Sequence, residues 1–293
     1  MKLQEFMEEV KAAVKMRVGK EVEIYPVLKN NDTTYHGLVI LEPVLNVAPT
    51  IYIEPFFHRY MDGQGFDEII DDIISTFEKH QLTKDFDVSF FVDWDKAKSR
   101  ITMKLINTWK NQKLLEKIPH VPFYDLSIVF MVDVSQTVQE RATILIYNHH
   151  LKLWNVTVEE IHKLALENTP RQLQPRLDDL HDVFEYITGE SLQFLKELNI
   201  KILTNHLHIH GATCIAYPDL LKELYDTFED NVIIMPSSVH EVLVFPEKNM
   251  PDGYELNYLS DMVRCVNRND LANEEMLNDH VYRFNGTELE FIG

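Results

Sequence analysis

At 293 residues and 45% hydrophobic content, the chain has enough apolar material for one large domain or two modest ones. Nine glycines and twelve prolines exclude a fibrous or low-complexity chain. A net charge of −19 argues against direct nucleic-acid binding and against docking on anionic membrane, because both need basic surface.

The same charge fits a solvated acidic surface, or carboxylates presented to a basic partner in mimicry of nucleic acid. Two cysteines, Cys214 and Cys265, form no CxxC pair. They read as buried thiols in a reducing cytoplasm, with no structural zinc. The opening Met1–Val10 is amphipathic and acidic and lacks the apolar core of a signal peptide. No apolar run approaches the roughly 18 residues of a membrane span.

Taken in order, Leu3, Phe6, Met7, Val10 and Val14 predict a helix over 3–17, stopped by Gly19. Glu21–Leu28 and Tyr35–Leu41 read as paired strands around the turn-like Asn30-Asn31-Asp32, and Thr50–Ile53 as a short strand. Phe66–Phe77 carries an apolar stripe of Phe66, Ile69, Ile70, Ile73, Ile74 and Phe77. Its acids, Asp67, Glu68, Asp71 and Asp72, form a solvated face near the positive end of the helix dipole. Gly63-Gln64-Gly65 lacks a third glycine and a preceding strand, so it is a loop. Val88–Val92 and Ile101–Ile106 are apolar segments around Asp93-Trp94-Asp95-Lys96, which reads as a turn or helix start rather than a nuclease metal site.

Trp109–Ile118 is expected to be helical, ended by Pro119. Leu126–Val132 and Thr143–Tyr147 read as partner strands. Thr157-Val158-Glu159-Glu160 is a capping box, and Val156 and Ile161 are spaced as a hydrophobic staple. That helix is expected to halt near Thr169-Pro170, with Gln172–Asp179 as a loop. Ile202–Ala216 is strand-like and Pro218–Phe228 a helix. Val232–Met235 and Val239–Phe245 are strands flanking the kernel Pro236-Ser237-Ser238-Val239-His240-Glu241. Leu256–Val266 is a helix with Leu259, Met262, Val263 and Val266 on one face, and Asn285-Gly286 marks a closing hairpin.

Strands in pairs punctuated by helices give an α+β fold: mostly antiparallel strand pairs alternating with helices that cover the sheet faces. The expected organisation is an N-terminal α+β region, 1–110, and a C-terminal α+β region, 111–293, possible also as one continuous fold.

Pro119-His120-Val121-Pro122-Phe123-Tyr124-Asp125-Leu126-Ser127-Ile128-Val129-Phe130 resembles a segment of an uncharacterised bacterial domain-of-unknown-function family common in anaerobic gut Gram-positive bacteria. Trp154–Thr157, Ala165–Pro170, Gly211-Ala212, the Pro236–Val242 kernel and Asp279-His280-Val281-Tyr282-Arg283 are similar to the same family. The resemblance is clearest over 105–285. It implies a cytosolic bacterial α+β protein and no particular reaction.

Three sets of residues invite a chemical reading. On an extended strand Ser238 and His240 share a side, while Ser237, Val239 and Glu241 take the other. Ser238, His240 and Glu241 are thus candidate hydrolase residues, although no Gly-x-Ser-x-Gly elbow is present and position 244 is Val where a zinc-protease helix needs His. The competing reading is a hairpin turn whose serine hydroxyls satisfy backbone. His206, His208 and His210 would share one face of a strand and are candidate metal ligands, against an exposed polar strand face. His149-His150 and His181-Asp182 are weaker metal pairs. Ser237, Ser238, His240, Glu241 and Asn168 are the candidate binding residues. No glycine-rich phosphate loop occurs, so no cofactor is expected. The leading expectation is a non-enzymatic cytoplasmic interaction or regulatory protein that binds another protein. A hydrolase and an acidic nucleic-acid mimic are the alternatives.

Overall fold

The structure is a computed structural model, and it describes residues 1–41, 48–80, 92–134, 142–251, 256–269 and 271–292. Internal packing divides the chain into two compact units, residues 1–89 and 90–293.

In the first unit, α1 (Leu3–Val18), α2 (Glu54–Met61) and α3 (Phe66–His80) accompany the antiparallel sheet β1 (Val22–Leu28), β2 (Thr34–Ile40), β3 (Thr50–Tyr52). Phe6, Met7, Val10 and Val14 of α1 meet Ile69, Ile70, Ile73 and Phe77 of α3 in one core with Leu38, Ile40 and Ile51. This is the outcome the 3.6-residue periodicity dictates. Gly19 ends α1 in the left-handed region, its N–H bonding Lys15 O at 3.0 Å. Three of the acids of α3 are already paired. Arg17 bridges Asp67 at 2.6 Å and also Asp71, and Arg59 pairs with Asp72.

The second unit contains α4 (Trp94–Ala97), β4 (Ile101–Asn107), α5 (Gln112–Leu115), β5 (His120–Phe123), β6 (Leu126–Asp133), β7 (Thr143–Leu145), α6 (Asn148–Trp154) and α7 (Val158–Gln172). It continues with β8 (Pro175–Asp179), α8 (Leu180–Thr188), α9 (Gln193–Leu198), β9 (Lys201–Asn205), a 3₁₀ turn Gly211–Ala216 and α10 (Leu220–Phe228). β10 (Val232–Pro236), β11 (Val242–Pro246), α11 (Leu256–Asn269), β12 (Val281–Phe284) and β13 (Leu289–Ile292) complete it. The antiparallel sheets are β4–β6 with β5 and β7 also on β6, and a six-stranded sheet in the order β13-β12-β10-β11-β9-β8. The fold class is α+β. β4 pairs with β6 along its whole length, so 101–107 belong with the C-terminal unit and the division falls before β4 rather than near 110.

On one side of the six-stranded sheet, Ile233 and Phe245 pack with Leu195 of α9 and with Leu259 and Val263 of α11. Among the described residues β4 pairs with β6 on one side only. On its other side the Met103 N–H donates to Thr169 Oγ1 at 3.0 Å and the Leu105 N–H to Thr213 Oγ1 at 3.1 Å. Buried backbone donors need such partners.

Five local expectations are corrected. α7 runs through Pro170 to Gln172, its last turn held by Thr169 O–H on Ala165 O (2.6 Å) and Leu173 N–H on Thr169 O (2.7 Å). Pro175–Asp179 is an edge strand, not a loop. Trp109–Ile118 is broken into a 3₁₀ turn and the single turn of α5. The stripe of α11 is Leu259, Val263 and Asn267, while Met262 and Val266 are exposed. Cys214 is buried but Cys265 is exposed. The expected apolar segment at 88–92 lies outside the described residues except for Val92. Among the described residues no helix is long and apolar enough to cross a membrane.

Candidate functional site

The β5–β6 hairpin closes with Phe123 opposite Leu126, so its tip is Tyr124-Asp125. Tyr124 adopts φ +55°, a left-handed conformation that costs a bulky residue about 1 kcal/mol or more. The conformation is held by side-chain contacts. The Tyr124 hydroxyl accepts the Leu289 N–H at 3.2 Å, and its ring meets Phe123 and Phe291 edge-on at 5.2 and 6.4 Å.

Asp125 is thereby carried to the segment 278–282. Its carboxylate, only 10% exposed, accepts His280 Nδ1–H at 2.7 Å, Tyr282 O–H at 2.7 Å and Asn278 Nδ2–H. Burial first, and the adjacent Asp125 charge second, push the Tyr282 phenol above its ordinary range, so it stays a donor. The segment is pinned from two more directions. Asn107 Nδ2 donates to Leu277 O at 3.1 Å, and Asn267 Nδ2 donates to Asn278 O at 2.9 Å and Asp279 Oδ1 at 2.6 Å.

An ionised carboxylate accepts only, so it holds an N–H of His280 on Nδ1, and in the neutral ring Nε2 is then the acceptor. The imidazole is 43% exposed, and no described residue bonds Nε2. Phe291 lies edge-on to it at 5.7 Å, and both Phe291 and Tyr124 are about half exposed. The site is an oriented imidazole beside the open Phe291 ring, which in turn meets the open Tyr124 ring.

The sequence candidates fare differently. Ser237–Glu241 is a loop between β10 and β11. Ser238 is buried, and its hydroxyl accepts the His240 N–H at 3.0 Å, while Ser237 and Ser238 N–H both donate to Glu241 O. Ser238 Oγ thus serves the turn as an acceptor, and among the described residues no bond joins it to an imidazole ring. His240 Nδ1 accepts the His210 N–H at 3.2 Å, and the two rings lie nearly parallel at 5.7 Å. Val239, at the loop tip, is buried, with its N–H on Glu275 O at 2.8 Å. Glu241 is half-buried. Asn168 is buried and structural: its amide donates to Lys98 O and Ile101 O at 2.9 and 3.1 Å and accepts from Arg171.

His206, His208 and His210 do not share a strand face. β9 ends at Asn205, whose side chain accepts Leu207 N–H at 3.0 Å and donates to Ile209 O at 2.7 Å. This local competition turns the backbone, with His208 and His210 at φ +54° and +53°. Gly211 follows because a Cβ there would collide with Thr204 Oγ1 and His240 O. His149 and His150 open α6, and His150 Nδ1 accepts the Tyr147 N–H at 2.9 Å. Among the described residues one convergent set of possible metal ligands occurs, Asp179, His181 and Asp182. There Asp179 is already paired with Lys201, and both ring nitrogens of His181 have partners. An open cleft of about 490 Å³ is lined by β5 and α7, with His120, Glu159, His162 and Lys163.

The architecture defines a two-unit α+β protein of antiparallel sheets, with an Asp-held histidine where two distant segments meet. The chain belongs to a family of unknown function, DUF5688, which it matches over residues 3–286. No curated protein and no solved structure matches it.

Proposed function

We propose that the chain is an interaction protein that recognises a basic segment of a partner protein through His280, Tyr124 and Phe291. The observation that carries this reading is the exposed His280 imidazole, oriented by Asp125 beside the open Phe291 ring, against which Tyr124 packs. An arginine suits that arrangement. Its guanidinium donates in plane to Nε2 while its face or edge covers an aromatic ring. The net charge of −19 steers such a partner over longer distance. The reading takes the protein as cytoplasmic and bacterial, in keeping with two unbridged cysteines. A Ser238 hydrolase draws no support from a buried hydroxyl that no imidazole base of the described residues meets.

The test is binding of an arginine-rich peptide, followed by fluorescence anisotropy. His280→Ala and Tyr124→Ala should each weaken it about tenfold, and a lysine version of the peptide should bind less tightly. Binding indifferent to both substitutions sinks the proposal.

A further inference from the structure

A second histidine in the same unit has a different set of partners. His181 opens α8, and its ring is 7% exposed. Nε2 lies 2.9 Å from Ser191 Oγ, and Nδ1 lies 3.2 Å from Asp182 Oδ1. Asp179, the helix cap, holds the His181 N–H at 3.0 Å and is itself anchored by Lys201.

With the ring neutral, as a general base must be, the protons in this row have one arrangement. Ionised Asp182 can only accept, so His181 carries its proton on Nδ1. Nε2 is then a lone pair, and the Ser191 O–H must point at it. The opposite tautomer sets a ring lone pair against a carboxylate. Serine hydroxyl, imidazole base and carboxylate thus stand in the order and polarity of a nucleophilic relay, which is recognised by geometry and roles rather than by position in a sequence. Ser191 is exposed and can be reached by substrate, whereas the base behind it is shielded from water.

We propose that Ser191 is a nucleophile for acyl transfer, with His181 as its general base, Asp182 as the positioning carboxylate and small carboxylic esters as the substrate class. Ser191 Oγ bonds to the ester carbonyl carbon while its proton passes to His181 Nε2. The carbon–alkoxide bond breaks, and the alcohol leaves with that proton. Water, giving a proton to His181, then attacks the acyl-serine and releases the carboxylic acid, and the proton returns to Ser191. This adds a reaction to the recognition reading and does not rest on it.

The full-length protein is treated with a fluorophosphonate probe, the labelled peptide is mapped, and hydrolysis of p-nitrophenyl acetate is followed in parallel. Label on Ser191 is expected, absent in Ser191→Ala, with ester turnover falling alongside. Asp182→Asn changes an exposed side chain, so the fold should survive, and labelling should slow about tenfold, less than for a buried relay carboxylate because water screens Asp182. No label on Ser191, label on Ser238 instead, or an unchanged rate in a folded Asp182→Asn protein overturns the proposal.

Discussion

His280 Nδ1 and Asp125 Oδ2 are 2.7 Å apart, although 155 positions separate them in the chain. That bond joins the tip of the β5–β6 hairpin to the start of β12. It makes Asp125 the acceptor on which three side chains converge.

Asp125→Asn replaces one acceptor oxygen with a donor facing other donors. We expect a loss of about 3 kcal/mol, because partners in a buried polar network are left unsatisfied. His280→Ala, at the exposed end, should cost about 1 kcal/mol or less. Urea unfolding midpoints measure both, and equal losses would contradict the stated geometry.

Gly211→Ala should destabilise by about 2 to 3 kcal/mol, since the added carbon meets Thr204 Oγ1 and the His240 carbonyl. Gly65→Ala, whose added carbon meets only ordinary contacts, serves as the control in the same thermal melt.

Burial first, and neighbouring His149 second, hold His150 at about 4, below its ordinary 6.5. Burial lowers His162 as well, and its Nε2 is buried without a hydrogen-bond partner. Both groups take up protons more readily when unfolded. Their contribution is fully present above about pH 6.5 and is lost as pH falls from there toward about 4. Melting temperatures between pH 7.5 and 4.5 should decline, and His150→Asn should flatten the slope.

Desolvation raises the Cys214 thiol to about 12, and its Sγ–H donates to Thr204 O at 3.1 Å. Cys265 is exposed. Iodoacetamide should therefore modify Cys265 in the native protein and reach Cys214 only after denaturation. Mass spectrometry of a time course gives the answer.

Residues 90–293 expressed alone should unfold cooperatively, whereas 111–293 should not, because it lacks β4 and leaves one side of β6 open along seven paired positions. Circular dichroism of the two fragments distinguishes these outcomes.

Legibility in the sequence followed distance along the chain. The apolar rows of α1 and α3 are periodic, and the Thr157–Glu160 box forms with Glu160 N–H on Thr157 Oγ1 at 3.3 Å. Asn285-Gly286 does close a hairpin, with Asn285 Oδ1 accepting from Thr287 and Glu288 N–H. The turn at 206–210 was hidden because alternating His and apolar residues mimic a strand, while one asparagine side chain bends it. Asp125 and His280 both lay in stretches marked by the family resemblance, yet nothing local pairs residues brought together by two separate hairpins. Ser191 carried no signal, since its partner His181 is ten residues away across a helix and a loop.

The two threonine hydroxyls that accept β4's outward amides have a consequence for assembly. A free strand edge invites another chain to add a strand, the usual start of sheet-to-sheet association. Here Thr169 and Thr213 occupy donors that an incoming strand would need. Among the described residues the sheet is closed on that side by α7 and the 3₁₀ turn, without a further strand. Both threonines are buried, so Thr169→Val with Thr213→Val would not expose an edge; it would leave two β4 amides buried without an acceptor, at about 1 to 3 kcal/mol each, read from the melting temperature.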